Sequence, residues 1–258
     1  MKGVTRWFWL PVVLALAGCS ASAPPVPVLG DAPAAGSGVA VSQEDGDAAR
    51  SVVRLRVIAP SCNKEIEGTG FVYAPQRVVT AAHVVAGAIP VSPVVTTADG
   101  EVYEGRVVAF DPDADIAVLY VPKLPAPALR ITPAPEPLLP IPGLSLADAR
   151  MPGYPKGAKQ LVTQPVEIER RIKAEGPNLY RDRQVTRVVL EFSAEVHAGV
   201  SGAPLILEDG AVAGMVFAAA KQQPDEGFAL AGEELLPVTE RAAKATKHVS
   251  TQRCDENE

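Results

Sequence analysis

A serine flanked by glycines is the first feature of this chain with an evident chemical use. The segment 199–205 reads Gly-Val-Ser-Gly-Ala-Pro-Leu, and an apolar run suited to a buried strand follows it. The glycines allow a tight turn that exposes the Ser201 hydroxyl, and the amides of Gly199 and Ser201 would be able to bind an oxyanion. Such sequences also occur in ordinary turns, so the segment indicates a nucleophile only together with partners elsewhere in the chain.

Two upstream residues would complete the chemistry of an activated serine. His83 follows the strand-like run 77–80 and two alanines, and Asp115 directly precedes the apolar run 116–119. A histidine can take the serine proton and return it to a leaving group, while an aspartate fixes the tautomer of the imidazole. A buried carboxylate needs such a partner. The ordinary alternatives are a hydrogen-bonded core histidine and a solvated acidic loop.

The elements that must position these residues are short strands. Aromatic residues make up only 5% of the chain, and 25 prolines and 21 glycines interrupt it, which favours strands and turns over long helices. The strand-like runs are 53–57, 68–73, 77–80, 91–97, 102–110 and 116–119, and then 160–169, 185–192, 204–207, 211–217 and 227–230. Residues 151–155 are predicted to form a tight turn.

These two sets of runs predict an all-β fold of two six-stranded antiparallel β-barrels with a C-terminal helix. The proline-rich stretch 122–142 cannot form a regular central strand and would connect the halves. We expect a single domain over 49–258, with the first barrel at about 49–121 and the second at about 143–232. The helix is predicted at about 235–246, with Pro237 in its first turn. His83 and Asp115 then belong to the first barrel and Ser201 to the second, facing each other across a cleft.

The N-terminus has the pattern of an export signal. Lys2 and Arg6 precede a short apolar run, and Leu16-Ala17-Gly18-Cys19 resembles the lipobox of bacterial lipoproteins. That resemblance implies removal of 1–18, lipid on Cys19, and attachment to the extracytoplasmic face of the bacterial cell membrane. A plain signal peptide cut nearby and an uncleaved anchor are the alternatives. Residues 19–48 are rich in Ala, Pro and Gly and predict a disordered tether.

Composition also bears on ligands and partners. The formal net charge is −6 and no basic stripe is present, which argues against a nucleic-acid partner. The proposed chemistry needs no metal and no cofactor. Export would allow a disulfide between Cys62 and Cys254, with two free thiols as the alternative. A tether and a lone domain are compatible with a monomer.

The three motifs together resemble those of chymotrypsin-like serine proteases, in particular the bacterial trypsin-like branch and its actinobacterial acid-resistance periplasmic proteases. The resemblance rests on segments 80–83, 115–119 and 199–205 and covers roughly 52–254. It implies a serine endopeptidase acting on proteins or peptides, with His83, Asp115 and Ser201 as catalytic residues. It also implies an oxyanion hole of the Gly199 and Ser201 amides and a disulfide between Cys62 and Cys254. A strand of Phe217, Ala218 and Ala219 would pair with the substrate backbone.

Two residues of the serine segment depart from the family pattern. Val200 stands where the family usually has Asn or Asp, and Ala203 where it has Gly. Neither change removes a catalytic group, but both bear on the geometry of the oxyanion loop. A binding protein built on an inactive protease fold therefore stays an alternative, as does an esterase-like hydrolase with the same triad. Nearby, Glu195 at the specificity pocket would favour basic substrate side chains, and a solvated glutamate is the alternative.

Overall fold

The computed structural model describes residues 43–136, 144–220, 223 and 225–254, with only the backbone described at 43–45, 47 and 61. These residues belong to one compact unit, Gly38–Glu258. The predicted signal segment, the lipidated Cys19 and most of the predicted tether lie outside the described residues. Among the residues described, no helix is long and apolar enough to cross a lipid bilayer.

A short helix and a seven-stranded antiparallel sheet form the first half. The helix is α1 (Gln43–Arg50), and the strands are β1 (Val52–Ala59), β2 (Lys64–Ala74), β3 (Arg77–Ala81), β4 (Val94–Thr96), β5 (Val102–Glu104), β6 (Arg106–Asp111) and β7 (Ile116–Tyr120). The strand order across the sheet is β5-β4-β1-β2-β3-β7-β6. One helical turn, α2 (Ala82–Val85), continues directly from β3. The sheet therefore places α2 beside the start of β7, because β3 and β7 run antiparallel.

The second half is a closed six-stranded barrel followed by a helix. Its strands are β8 (Ala147–Gly153), β9 (Val162–Pro177), β10 (Gln184–Ser193), β11 (Pro204–Leu207), β12 (Val212–Ala219) and β13 (Glu226–Ala231). They follow the order β10-β13-β12-β11-β8-β9 around the barrel. The helix α3 (Gly232–Ala242) follows β13 directly. The far parts of β9 and β10 pair only with each other and form a two-stranded ribbon beyond the barrel wall.

Small and branched aliphatic side chains fill both cores, as the low aromatic content predicts. The cluster around the first sheet continues into the second half through Ile206, Met215 and Leu230. A separate cluster inside the closed barrel includes Ile168, Phe192 and Leu205. Burial of aliphatic surface across the junction joins the two halves into one unit.

The mostly β architecture with a C-terminal helix confirms the predicted fold class, with a correction in the first half. The run predicted at 102–110 is two strands, because the pairing partner changes at Gly105: β5 pairs with β4, and β6 pairs with β7. The Gly105 amide donates to the Pro93 carbonyl at 2.8 Å. A side chain there would lie 2.7 Å from the Leu119 side chain. The first sheet therefore has seven strands and not six.

Three smaller expectations also need correction. The helix α1 includes residues 43–48, which were predicted as the end of a disordered tether. The strand β8 covers Met151–Gly153, where a tight turn was expected, and it pairs with β9 on one side and β11 on the other. The terminal helix runs from Gly232 to Ala242 and not over 235–246, so Pro237 lies beyond its first turn.

Candidate active site

His83 and Asp115 meet because they stand at adjoining ends of two paired strands. Ala81 at the end of β3 lies opposite Ile116 at the start of β7. The next residues in α2 and the residue before β7 must therefore be neighbours, and the Ala82 amide donates to the Asp115 carbonyl at 3.1 Å. Asp115 has a φ of +59°, a left-handed conformation that aspartate tolerates better than most residues.

The two side chains form a close, buried pair, which we call the acid–base pair. His83 Nδ1 lies 2.8 Å from Asp115 Oδ2, and the His83 backbone amide donates to Oδ1 at 2.9 Å. Only 9% and 10% of the two side chains are exposed. A hydrogen on Nδ1 would satisfy the carboxylate and leave Nε2 as the proton acceptor of the neutral ring. The pair thus has the arrangement of a general base with an orienting acid.

Residues 197–203, the serine loop, form a turn that requires two glycines. Gly199 has a φ of +93°, and a side chain on it would lie 2.5 Å from the Lys156 amide nitrogen. Gly202 has a φ of +90°, and a side chain there would lie 2.0 Å from the Thr69 carbonyl oxygen. Both positions combine a left-handed backbone with a close backbone approach, so neither accepts a larger residue without rearrangement.

The orientation of the Gly199 and Ser201 amides follows from hydrogen bonds that the preceding carbonyl groups accept. The Ala198 carbonyl accepts from Lys156 at 2.7 Å, and the Val200 carbonyl accepts from Ala203 at 2.9 Å. Because N–H and C=O point in opposite directions across a trans peptide, the Gly199 and Ser201 amides point away from those donors. Neither amide donates a backbone hydrogen bond to an acceptor within the described part of the chain. Both are therefore available to a ligand.

One threonine of the first sheet holds the serine loop in place. The Thr69 hydroxyl donates to the Gly199 carbonyl at 2.8 Å and accepts from the Tyr154 amide at 3.0 Å. The Thr69 amide donates to the Ser201 carbonyl at 2.9 Å. Thr80 in turn donates its hydroxyl to the Thr69 carbonyl at 2.7 Å. Sequence reasoning missed Thr69, whose only local signal is its position between two glycines.

A cavity of about 640 Å³ brings the predicted residues together. Its lining includes His83, Asp115 and Ser201, and the end of β12 contributes Phe217, Ala218 and Ala219. The β9–β10 ribbon and the segment between its strands also line the cavity, through Arg187 and Asn178, which sequence reasoning did not single out. The described residues contain no group of three or more His, Cys, Asp or Glu side chains arranged to hold a metal ion.

The end of β12 is an open strand edge beside Ser201. Ala218 and Ala219 pair with Phe228 and Gly227 of β13, whereas pairing with β11 reaches only to Met215. No other strand in the described ranges pairs with this second edge of 217–219. An extended peptide could add to it by main-chain hydrogen bonds.

Val200 and Ala203, which depart from the family pattern, are accommodated by packing. Both are buried in the core of the closed barrel. A side chain at Gly153 would contact them at 3.2 and 3.3 Å, so the absence of a side chain there leaves room for both. Glu195, by contrast, is exposed, lies 3.6 Å from His197, and is not part of the cavity lining, whereas His197 is.

A disulfide links the first sheet to the C-terminal segment. It joins Cys62 and Cys254, whose Cα atoms are 6.3 Å apart, across 192 positions of sequence. These are the two cysteines that the family resemblance implies.

Fold and cavity together are those of a trypsin-like serine protease. The chain matches the family model of the Trypsin-like peptidase domain over residues 68–215 and belongs to this family. Serine protease Rv3671c of Mycobacterium tuberculosis strain H37Rv is 40% identical over 205 residues, which are 79% of this chain and 49% of that protein. The same figures hold for serine protease MT3772 of strain CDC 1551. The chain thus spans about half the length of the curated relatives it matches.

Solved structures agree with this assignment. The active form of the Rv3671c protease matches with a TM-score of 0.76 and 36% identity, covering 94% of this chain and 100% of that one. The inactive form of the same protease matches with a TM-score of 0.64 and 36% identity over 77% of this chain and 91% of that one. The HtrA-type protease AlgW with a tripeptide shares the fold, with a TM-score of 0.65 and 22% identity over 78% of this chain and 62% of that one. Family model, relatives and solved structures therefore agree that the chain belongs to the trypsin-like peptidase family.

Proposed function

We propose that this protein is an exported, lipid-anchored endopeptidase in which His83, Asp115 and Ser201 form the catalytic triad. The observation that carries the proposal is the 2.8 Å contact between His83 Nδ1 and Asp115 Oδ2, in the cavity that Ser201 also lines. A serine hydroxyl is a weak nucleophile at neutral pH and needs such a base. Asp115 holds the ring so that Nε2 is the atom that receives the proton.

The first half-reaction acylates Ser201. Its Oγ attacks the carbonyl carbon of the scissile peptide bond while His83 Nε2 takes the hydroxyl proton. The carbonyl oxygen becomes an oxyanion, which the Gly199 and Ser201 amides stabilise by donating hydrogen bonds. The C–N bond then breaks, and the leaving amine takes the proton from His83. The product of this step is an acyl ester on Ser201.

The second half-reaction releases the acid product. The oxygen of a water molecule attacks the ester carbonyl carbon while His83 removes a proton from that water. The oxyanion again accepts hydrogen bonds from the Gly199 and Ser201 amides. The bond between the carbonyl carbon and Ser201 Oγ breaks, and Oγ regains its proton from His83. The buried Asp115 carboxylate stabilises the imidazolium in both half-reactions and does not itself take the proton.

A substrate peptide would bind in an extended conformation along the open edge of β12. Phe217, Ala218 and Ala219 would supply the backbone groups, as in other complexes formed by strand addition. Small side chains at two of these positions let the peptide backbone approach the strand. Because this edge lies in the same cavity as Ser201, the bound chain would be delivered to the nucleophile.

The packing of Val200 and Ala203 supports turnover over the alternative of an inactive binding protein. Their side chains point into the core beside Gly153, and the two oxyanion amides stay unpaired in the described residues. Membership of a peptidase family favours peptide substrates over the esterase alternative.

Membrane attachment is proposed from the N-terminal sequence. Acylation of Cys19 after cleavage of the signal would hold the domain at the outer face of the cell membrane. Two or more acyl chains give stable anchoring, whereas one gives only reversible binding. Labelling with a clickable palmitate analogue in a bacterial host tests this. Lipid should be incorporated into the wild-type chain and not into a Cys19→Ala variant, and equal label in both would contradict the anchor.

Reaction with a fluorophosphonate probe tests the triad. We expect the full chain to be labelled at Ser201, because the probe reacts only with an activated serine. A Ser201→Ala variant controls for labelling elsewhere, and cleavage of an unfolded protein substrate distinguishes an endopeptidase from an esterase. If neither the probe nor a protein substrate reacts with a folded wild-type chain, the proposed activity is wrong.

A further inference from the structure

The loop that carries Asp115 is held by the opposite half of the molecule. The Leu179 amide, beyond the end of β9, donates to the Pro112 carbonyl at 3.0 Å. The Asn178 side-chain amide donates to Asp113 Oδ1 at 2.9 Å, and Asn178 itself is buried. Residues 111–115 therefore lie against the tip of the β9–β10 ribbon, although their own strands belong to the first sheet.

Arg187 of β10 also binds this loop, by the shortest of these hydrogen bonds. Its Nε donates to the Asp113 carbonyl at 2.8 Å, and its Nη2 donates to the Pro177 carbonyl at 3.1 Å. One rigid guanidinium thus ties the loop to the ribbon, a geometry that a lysine ammonium cannot reproduce. Arg187 is partly buried and lies in the lining of the cavity that contains His83 and Ser201.

The charge of Arg187 is balanced by carboxylates around it. Burial lowers the pKa of Arg187, and the carboxylate of Asp115 is the strongest of the interactions that raise it again. Glu234 of α3 and the loop residues Asp113 and Asp111 act in the same direction. The pKa of Arg187 is lowered overall, but an arginine stays charged at neutral pH, so its guanidinium attracts the carboxylates of the loop that carries Asp115.

We propose that Arg187 is a positioning residue for the acid–base pair. By holding the Asp113 carbonyl, it fixes the backbone two residues before Asp115, whose left-handed conformation needs such support. The carboxylate then meets both the Nδ1 and the backbone amide of His83. This role rests on the proposed triad. It means that a residue of the second half of the molecule helps to set the geometry of the acid–base pair.

The test compares Arg187→Met with Lys173→Met in the full chain. Lys173 lies exposed on the same ribbon, opposite Val188, and its substitution makes the same change in charge without touching the loop. We expect Arg187→Met to lower kcat at least tenfold with KM changed less than twofold. Lys173→Met should keep both values within twofold of wild type. A higher KM with an unchanged kcat would mean that Arg187 binds substrate, and would overturn the proposal.

A proton NMR signal separates positioning from a general loss of fold. The His83 Nδ1 proton, hydrogen-bonded to a carboxylate, should resonate far downfield in the wild type and in Lys173→Met. In Arg187→Met the signal should weaken or shift upfield while circular dichroism shows a folded protein. A tenfold lower kcat with an unaltered signal would overturn the proposal. Because the signal needs no turnover, an inactive wild type would refute the proposed function separately.

Arg187→Lys provides a second variant that keeps the charge and is closer in size. Its single ammonium cannot span the Asp113 and Pro177 carbonyls as the guanidinium does. We expect kcat to remain at least threefold below wild type. A kcat equal to wild type would show that the two-carbonyl contact is not needed, and would also overturn the proposal.

Discussion

The acid–base pair is assembled largely by one sheet, whereas the serine loop is assembled between two. His83 and Asp115 stand at adjoining ends of β3 and β7, and they bond directly to each other. The serine loop leaves β10 and enters β11, but its Gly199 and Ser201 carbonyls are bonded to Thr69 of the first sheet. The two parts of the site thus differ in which contacts determine their geometry.

The difference shows how a two-part active site stays aligned. The acid–base pair follows from strand register, which the hydrophobic pattern of each strand fixes strongly. The serine loop combines two glycines of positive φ with hydrogen bonds across the junction between the two halves. We therefore expect the position of Ser201 to depend on how the two halves pack against each other.

The largest expected effect comes from a change within the acid–base pair. In Asp115→Asn the amide oxygen can still accept from the His83 backbone, but the NH₂ group would face Nδ1. That contact favours hydrogen on Nε2, so the ring can no longer accept the Ser201 proton. We expect kcat/KM to fall by about 10⁴-fold, the loss typical of this substitution in a Ser-His-Asp triad. Peptide hydrolysis kinetics measure this, and a loss below tenfold would contradict the proposed role.

The second-largest effect is expected from a substitution in the serine loop, as a loss of stability. In Gly202→Ala the new methyl would lie 2.0 Å from the Thr69 carbonyl oxygen, at a φ of +90°. We expect a loss of unfolding free energy above about 3 kcal/mol, since a clash adds to the backbone strain. Gly210→Ala is the matched control, with a φ of +77° and nothing within 4 Å. It should cost only about 1–2 kcal/mol. Equal losses in urea unfolding would show that the close approach is unimportant.

A smaller effect is expected from the contact that joins the two halves. Thr69→Val keeps the shape of the side chain but leaves the Gly199 carbonyl and the Tyr154 amide without their partner. We expect a loss of about 1–3 kcal/mol in stability and a kcat lower by roughly tenfold. Thr69→Ser keeps the hydroxyl and should recover most of both losses. A Val variant with full activity would show that the serine loop holds its geometry without the first sheet.

The sequence predicted which side chains lie together in the cavity better than it predicted the residues that hold them in place. Each of the three side chains sits in a local motif, and the run predicted at 204–207 is the observed strand β11, because a proline and an acidic turn bound it. The part played by Thr69 depends on the docking of distant segments, which no local pattern records. The same holds for Arg187, which looks like an ordinary exposed residue of a strand.

The differences in fold also have local physical causes. Gly105 divides one predicted strand into two, because the pairing partner changes there from β4 to β7, and the close approach of Leu119 leaves no room for a side chain. The sequence predicts a turn at 151–155 because Pro152 and Gly153 fall there, whereas residues 151–153 are the end of strand β8. Its pairing on both sides overrides that local signal.

The smallest effect should come from Glu233, which lies outside both parts of the site. Its carboxylate accepts from the Ala134 amide at 2.9 Å and from Arg171 at 2.6 Å. Burial raises the pKa of Glu233, but these hydrogen bonds outweigh that effect, so the pKa is lowered overall. A lowered pKa in the folded state stabilises the protein above the unfolded pKa of about 4.3, and that stability is lost as the pH falls through the folded value.

Glu233→Gln should therefore destabilise the protein at neutral pH and not in acid. We expect a difference from wild type of less than about 1 kcal/mol at pH 7, because the pair is partly exposed. The difference should disappear as the pH falls below the unfolded pKa of about 4.3 and Glu233 in the wild type becomes protonated. Urea unfolding across this range measures it, with Glu240→Gln on the exposed face of α3 as the control. Because Glu233 touches neither the acid–base pair nor the serine loop, kcat at neutral pH should not change. A lower kcat would mean that α3 and the connection before β8 also control the alignment of the site.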